Sequence, residues 1–202
     1  MTKTELLEKI KDEIVDLKKS PLHDIRKKNK WFPVIGEGSH NAKIMLIGEA
    51  PGKNEAEQGR PFCGAAGRIL DELLKDAGLN RADVYITNIV KDRPPRNRDP
   101  KPEEIEIYAP FLDRQINIIQ PKIIITLGRF SSEYIMGKFE LRERFSSIGE
   151  IHGKTFLAQA DYGDITITPM YHPAATLYGT KTKGLMEKDW KMIKKFMIKY
   201  NT

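Results

Sequence analysis

The chain is nearly free of cysteine, with one thiol, Cys63, in 202 residues. A single cysteine excludes an intramolecular disulfide and a cysteine-built metal or iron–sulfur site. A cytoplasmic setting is the simplest expectation. No apolar run approaches the length needed to cross a bilayer. The first residues, MTKTELLEKIKDEIVDLKK, are charged and helical in pattern, unlike a signal peptide. The chain also lacks internal repeats and low-complexity linkers. Against these absences stand a hydrophobic fraction of 40% and a charged fraction of 31%, the balance of a globular protein. The length suits one α/β domain spanning residues 1–202, with an amphipathic helix over 1–19 packed on it.

Formal net charge is +6, which permits a nucleic-acid partner without demanding one. Residues 91–101, KDRPPRNRDPK, set five Lys/Arg against two Asp and carry three prolines, so they read as a loop presenting its charges. Residues 181–199 hold seven Lys against two acids in a helical pattern, where basic side chains more often form a solvated face.

The chain is organised around Lys43 to Gly67. Ile44, Met45, Leu46 and Ile47 run without a break into Gly48, the pattern of a strand buried on both faces. GEAPG follows, a tight loop whose backbone can approach a ligand closely. A second glycine-rich turn leads into a helix over about 65–77, stopped by Gly78. Further strands are expected over 84–90, 122–127 and 165–170, the last in a hairpin with 155–160. Further helices are expected over about 102–119, 131–136 and 184–200, with 20–38 irregular and Trp31 and Phe32 as packing anchors. Alternating strands and helices specify a three-layer α/β/α sandwich with a short, mostly parallel sheet.

In such a sheet ligands bind beyond the carboxyl ends of the strands. Glu49, Phe62, Asn88 and His172 all fall at those ends. Together they suit a planar heterocycle: Phe62 stacks on the ring, the Asn88 amide reads adjacent donor and acceptor edges, and His172 donates to an oxygen gaining charge. Singly, each has a plainer reading as core, cap or loop residue.

GEAPG, GRPFCGAAG, TNIVKDRPPRNRDPKPEE and YHPAATL, in this order and spacing, resemble the motif set of the uracil-DNA glycosylase superfamily, and within it the family 4 enzymes. The likeness runs from about residue 17 to the C-terminus. It implies hydrolysis of the N-glycosidic bond of uracil in DNA, with the nucleotide flipped into a pocket. It implies that Phe62 stacks on the base, that Asn88 pairs with its polar edge and that His172 steadies the departing uracil. Gly48, Ala50, Pro51 and Gly52 would supply backbone contacts, and either Glu49 or Glu55 would handle the attacking water. Arg60, Lys91, Arg93, Arg96 and Arg98 would meet phosphates. Pro173, Ala174, Thr176 and Leu177 would press into the minor groove and fill the vacated space. The implied partner is uracil-containing DNA, bound by a monomer.

Family 4 enzymes resemble one another in four cysteines that hold a [4Fe–4S] cluster. Here the matching positions are Leu17, Ser20, Asp92 and Tyr108. None supplies a thiolate, so no cluster is expected, and packing by Leu17 and Tyr108 must tie the N-terminal segment to the loop after the second strand. Ala50 stands where better-known relatives carry a water-orienting aspartate, and Thr176 where many carry leucine. A second class of function therefore stays open: a glycosylase-fold DNA-binding protein without catalysis. A third is excision of another deaminated base such as hypoxanthine.

Overall fold

The computed structural model describes the backbone of residues 1–178 and 180–200 and the side chains of 1–176 and 182–193. Its strands are β1 Glu37–Gly38, β2 Ile44–Gly48, β3 Tyr85–Asn88, β4 Ile123–Leu127, β5 Phe156–Ala160 and β6 Gly163–Met170. Its helices are α1 Lys3–Val15, α2 His23–Lys28, α3 Lys53–Gln58, α4 Ala65–Ala77, α5 Pro102–Ile119, α6 Arg129–Lys138, α7 Ile148–Ile151 and α8 Thr180–Tyr200. Among the described residues the strands form one sheet in the order β1-β3-β2-β4-β6-β5. The four central strands are parallel. The two edge strands pair antiparallel.

Strand periodicity makes the layers. Met45 and Ile47 face a core built with Leu7, Ile10 and Ile14 of α1, Leu112 and Ile116 of α5 and Ile135 of α6. Ile44 and Leu46 face the opposite way, onto Leu70, Leu73 and Leu74 of α4 and Met186 and Trp190 of α8. Both faces of every central strand are thus covered by helices, which is why β2 reads as an uninterrupted apolar run. The result is a three-layer α/β/α sandwich.

Several local details depart from the sequence pattern. Helix α1 stops at Val15 rather than continuing to Lys19. Arg26 reaches back to cap that end: its guanidinium donates to the Ile14 carbonyl at 3.1 Å and to that of Val15. Residues 20–38 are not wholly irregular, since they include α2 and β1. Phe32 is no packing anchor. It is 58% exposed, whereas Trp31 is half-buried under the guanidinium of Arg93, whose Cζ lies 4.6 Å from the ring centre. Short elements such as α2, α3 and β1 carry too few residues for a period to declare itself.

Candidate active site

The carboxyl ends of β2, β3 and β6 surround a cavity of about 330 Å³, a volume typical of small-ligand sites. Glu49, the loop from Ala50 to Gly52, Glu55, Phe62, Asn88 and His172 all line it. The convergence expected from sequence is therefore realised in space. Ala66, Pro94, Asn97, Arg98 and Ala174 complete the wall. Of these, Pro94 and Asn97 carried no individual signal; they belong to a loop whose charges dominate its sequence.

The aromatic wall is held by its backbone. Phe62 has φ +48°, a left-handed conformation that costs a bulky residue energy and persists only when its surroundings enforce it. Two features do so. Glu55 Oε1 accepts the backbone N–H groups of Cys63 at 3.0 Å and Gly64 at 2.8 Å, placing a carboxylate at the N-terminus of α4 where the helix dipole favours it. Gly67 leaves room for the turn, since a Cβ there would meet the Phe62 carbonyl oxygen at 1.9 Å. The Phe62 ring then lies 5.6 Å from that of His172, tilted by 32°.

Asn88 is buried, with 2% exposure, yet its side-chain amide has no hydrogen-bond partner among the described residues. Its polar atoms are not among the buried ones left without a partner. The amide borders the cavity, where a ligand can satisfy it. Gly48 permits the arrangement, because a Cβ at that position would lie 2.3 Å from Asn88 Oδ1 and 2.7 Å from the Phe62 ring.

His172 follows β6. The Ala174 backbone N–H donates to its Nδ1 at 3.1 Å, so the neutral ring carries its proton on Nε2. Burial pulls the imidazole down to about 4, with Glu55 opposing. The ring is thus neutral at physiological pH and offers an N–H donor. Gly128, at φ +100°, backs it: a Cβ there would come within 3.2 Å of the His172 Cβ. Glu49 differs from Glu55. Its carboxyl makes no hydrogen bond among the described residues; burial, with Asp99 adding and Arg129 opposing, pushes it up to about 7.

The basic residues divide. Lys91 is fully buried and does not reach the surface, which corrects its expected place at a phosphate. Its Nζ donates to Asn88 O at 2.6 Å, Thr87 Oγ1 at 2.7 Å and Gln115 Oε1 at 2.6 Å. Arg96 is exposed, at φ +57°. Arg93 is held on Trp31 and donates to Asn97 Oδ1 at 2.7 Å. Arg98 lines the cavity and forks onto the buried carboxylate of Glu104. Arg60 is exposed and paired bidentately with Glu37 at 2.7 and 2.8 Å. On the far side, Pro173 and Ala174 lead a 3-10 helix, Pro173–Tyr178. There the Thr176 hydroxyl donates back to the Pro173 carbonyl at 3.0 Å. The Leu177 side chain lies outside the described residues.

An aromatic wall, an unpaired amide and a neutral imidazole at the strand ends of an α/β sandwich offer a planar heterocycle both stacking and hydrogen bonds. Residues 35–194 match the family model of the uracil DNA glycosylase superfamily. The chain is 48% identical to the type-4 uracil-DNA glycosylase of Sulfurisphaera tokodaii over 193 residues, 95% of this chain and 85% of that protein. It is 42% identical to the type-4 uracil-DNA glycosylase of Archaeoglobus fulgidus over 189 residues, 94% and 92% of the two chains. A type-5 uracil-DNA glycosylase of Thermus thermophilus matches at 34% over 126 residues, 55% of this chain and 57% of that protein. The chain belongs to the uracil DNA glycosylase superfamily.

The positions that match the family 4 cysteines do not fit a cluster. Tyr108 donates to Asp92 Oδ2 at 2.6 Å and stands 2.8 Å from Ser20 Oγ. Asp92 Oδ1 accepts from Arg26 at 3.1 Å, and the Ser20 backbone N–H donates to the Leu17 carbonyl at 3.1 Å. These side chains fill the space with hydrogen bonds of their own and present no thiolate. Among the described residues no group of His, Cys, Asp and Glu could hold a metal ion. Leu17 and Tyr108 do enter one core cluster, as packing requires. The tie to the loop after β3, however, is a buried polar network centred on Asp92, whose residue type had suggested only a lost ligand.

Proposed function

We propose that the chain hydrolyses the N-glycosidic bond of uracil in DNA, releasing uracil and leaving an abasic site. The observation that carries this reading is the Asn88 amide, facing the cavity beside Phe62 and the Nε2–H of His172 with no bond to a described residue. A flipped uracil stacks on Phe62 and pairs its N3–H and O4 with the amide, which accepts and donates in turn. As the bond from C1′ to N1 breaks, its electron pair stays on the base. His172 Nε2–H donates to the uracil O2 that gains charge, and being neutral it is preorganised for an anion rather than consumed by one. Water forms the new C1′–O bond, and Glu49 takes its proton. Glu55 is occupied by the Cys63 and Gly64 amides and serves the Phe62 turn instead. Gly48 to Gly52 hold the base by close backbone approach. Arg60, Arg93, Arg96 and Arg98 meet phosphates, and Pro173, Ala174, Thr176 and Leu177 follow the minor groove. The reading includes a monomer, working in the cytoplasm and without an iron–sulfur cluster.

The test is alkali cleavage of an end-labelled oligonucleotide carrying one uracil, single-stranded or opposite G or A, with hypoxanthine substrates alongside. Cleavage at uracil is the expected result. Cleavage confined to hypoxanthine would replace the substrate, and salt-sensitive DNA binding without any cleavage would leave only a binding protein. The pH profile examines Glu49. As the carboxylate is the working form, the single-turnover rate should climb as pH rises through about 7 and then level off. Glu49→Gln should remove that climb and slow excision by about 10²-fold or more; an unchanged profile would return the water to another group. Gly48→Ala offers a geometric check. By displacing Asn88 and Phe62 it should cost about 10²-fold in kcat/KM while affinity for DNA without uracil stays level.

A further inference from the structure

Lys91 is a fully buried lysine with no carboxylate against it. Its surroundings count its protons. The Thr87 hydroxyl donates to the Ile35 carbonyl at 2.7 Å. The Gln115 amide N–H groups donate to that carbonyl at 3.0 Å and to the Tyr85 hydroxyl at 3.1 Å. Thr87 Oγ1, Gln115 Oε1 and Asn88 O can therefore only accept from Lys91. Three acceptors within 2.7 Å take three N–H groups, the full set of an ammonium. Ile35 O stands as a longer fourth contact at 3.4 Å. The neighbouring Asp92 turns away, to Arg26 and Tyr108.

We propose that Lys91 is a positioning residue of the base-excision site: its ammonium fixes the backbone of Asn88 and keeps an unneutralised positive charge behind the pocket, favouring the departing uracil anion. The proposal rests on the uracil reading above. Its physics is that of a cation held in a low-dielectric interior, where its field is weakly screened. The fixing acts through the Asn88 carbonyl, one residue before Ile89, whose N–H donates to Gly48 O at 3.1 Å. Asn88 is thus tied to Lys91 through its carbonyl and to Gly48 through the next residue. Burial pulls the Lys91 pKa well below the lysine range, so the charge, and the positioning with it, is lost at a lower pH than that of an exposed lysine.

Several other groups titrate near this site. Glu49 and His172 change charge at about 7 and about 4, on the acid side. Tyr85, reached through Gln115, is pushed above its ordinary range by burial. The Cys63 thiol is also raised by burial and titrates on the alkaline side, so the profile is taken in a Cys63→Ser background. Lys91→Met and Lys91→Arg are compared with the parent by single-turnover excision across pH, by affinity for a uracil-free duplex, and by thermal unfolding. The expected result is a folded Lys91→Met protein with DNA affinity within about threefold of the parent and excision slower by about 10²-fold. The parent should lose rate at alkaline pH. Lys91→Arg, whose charge persists, should move that loss upward. A folded Lys91→Met variant as fast as the parent would overturn the proposal, as would an alkaline limb unmoved in Lys91→Arg. If Lys91→Met does not fold, Gln115→Leu removes one acceptor and should move the limb downward; an unmoved limb counts against the proposal. If the parent itself leaves uracil in place, the uracil reading fails separately. The charge is then read from ¹⁵N-labelled lysine, where a slowly exchanging NζH₃ signal removed by Lys91→Arg supports the buried ammonium and its absence overturns it.

Discussion

Asn88→Ala should abolish most uracil excision without weakening the fold. Removing the amide takes away both hydrogen bonds that distinguish the base, and a site built around such bonds discriminates by about 10⁴-fold. A fall in kcat/KM of about 10³-fold or more is expected. The stability arm makes the prediction specific. In the unliganded protein the amide borders the cavity and is not among the buried polar atoms left without a partner, so its removal neither breaks a hydrogen bond of the fold nor strands a buried group. The midpoint of thermal unfolding should stay within about a degree of the parent, the effect of a substitution that removes no packed or bonded group. A variant that lost activity together with stability would mean that Asn88 serves the strand end instead. His172→Ala should cost about 10²–10³-fold, chiefly in kcat, since its Nε2–H matters most once charge has developed on the base. With the ring neutral down to about 4, His172 adds no limb to the pH profile above that value.

Asp92→Ala is expected to have the largest effect on stability. Asp92 accepts from Arg26 and Tyr108, and all three are buried. Removing the carboxylate strands the Arg26 guanidinium, and breaking one side of a buried pair costs about 3–5 kcal/mol. For a chain of this size that is about 6–20 °C in the unfolding midpoint. Tyr108→Phe should cost less, about 1–3 kcal/mol, because it leaves one Asp92 oxygen unpaired. Burial raises the Asp92 pKa, with Tyr108 and Arg26 opposing, so desolvation outweighs the bonds that hold the charge. A folded-state pKa above the unfolded one means that this contribution to stability is present at low pH and lost as pH rises through the folded value. Asp92→Ala should flatten that part of the stability profile. Midpoints within a degree of the parent would remove the network from any structural role.

The layers were legible because burial follows short-range periods. Ile44 to Ile47 declare a doubly buried strand, and Leu70, Leu73 and Leu74 one face of a helix. Asn88 stood out as an amide within an apolar run. Lys91 was misread for the opposite reason. It opens a segment crowded with arginines, yet Gln115 and Ile35, which decide its burial, lie far along the chain in elements that meet only in the folded state. Its immediate succession to the apolar Ile89 and Val90 was the one local hint. Arg26 gave less, one basic residue among several, although it closes α1 and carries Asp92. Glu49 and Glu55 could not be separated by type; the amides of Cys63 and Gly64 separate them.

The network of Arg26, Asp92, Tyr108 and Ser20 has a further consequence. A junction made of guanidinium, carboxylate and hydroxyl groups closes as the polypeptide folds and needs no assembly factor, imported ion or electron donor. Its hydrogen bonds break and re-form without a chemical step, and its four side chains offer oxygen no thiolate to attack. The junction between the N-terminal segment and the loop that begins at Asp92 is encoded entirely in ordinary side chains, complete as soon as the last of them, Tyr108, has been synthesised and packed.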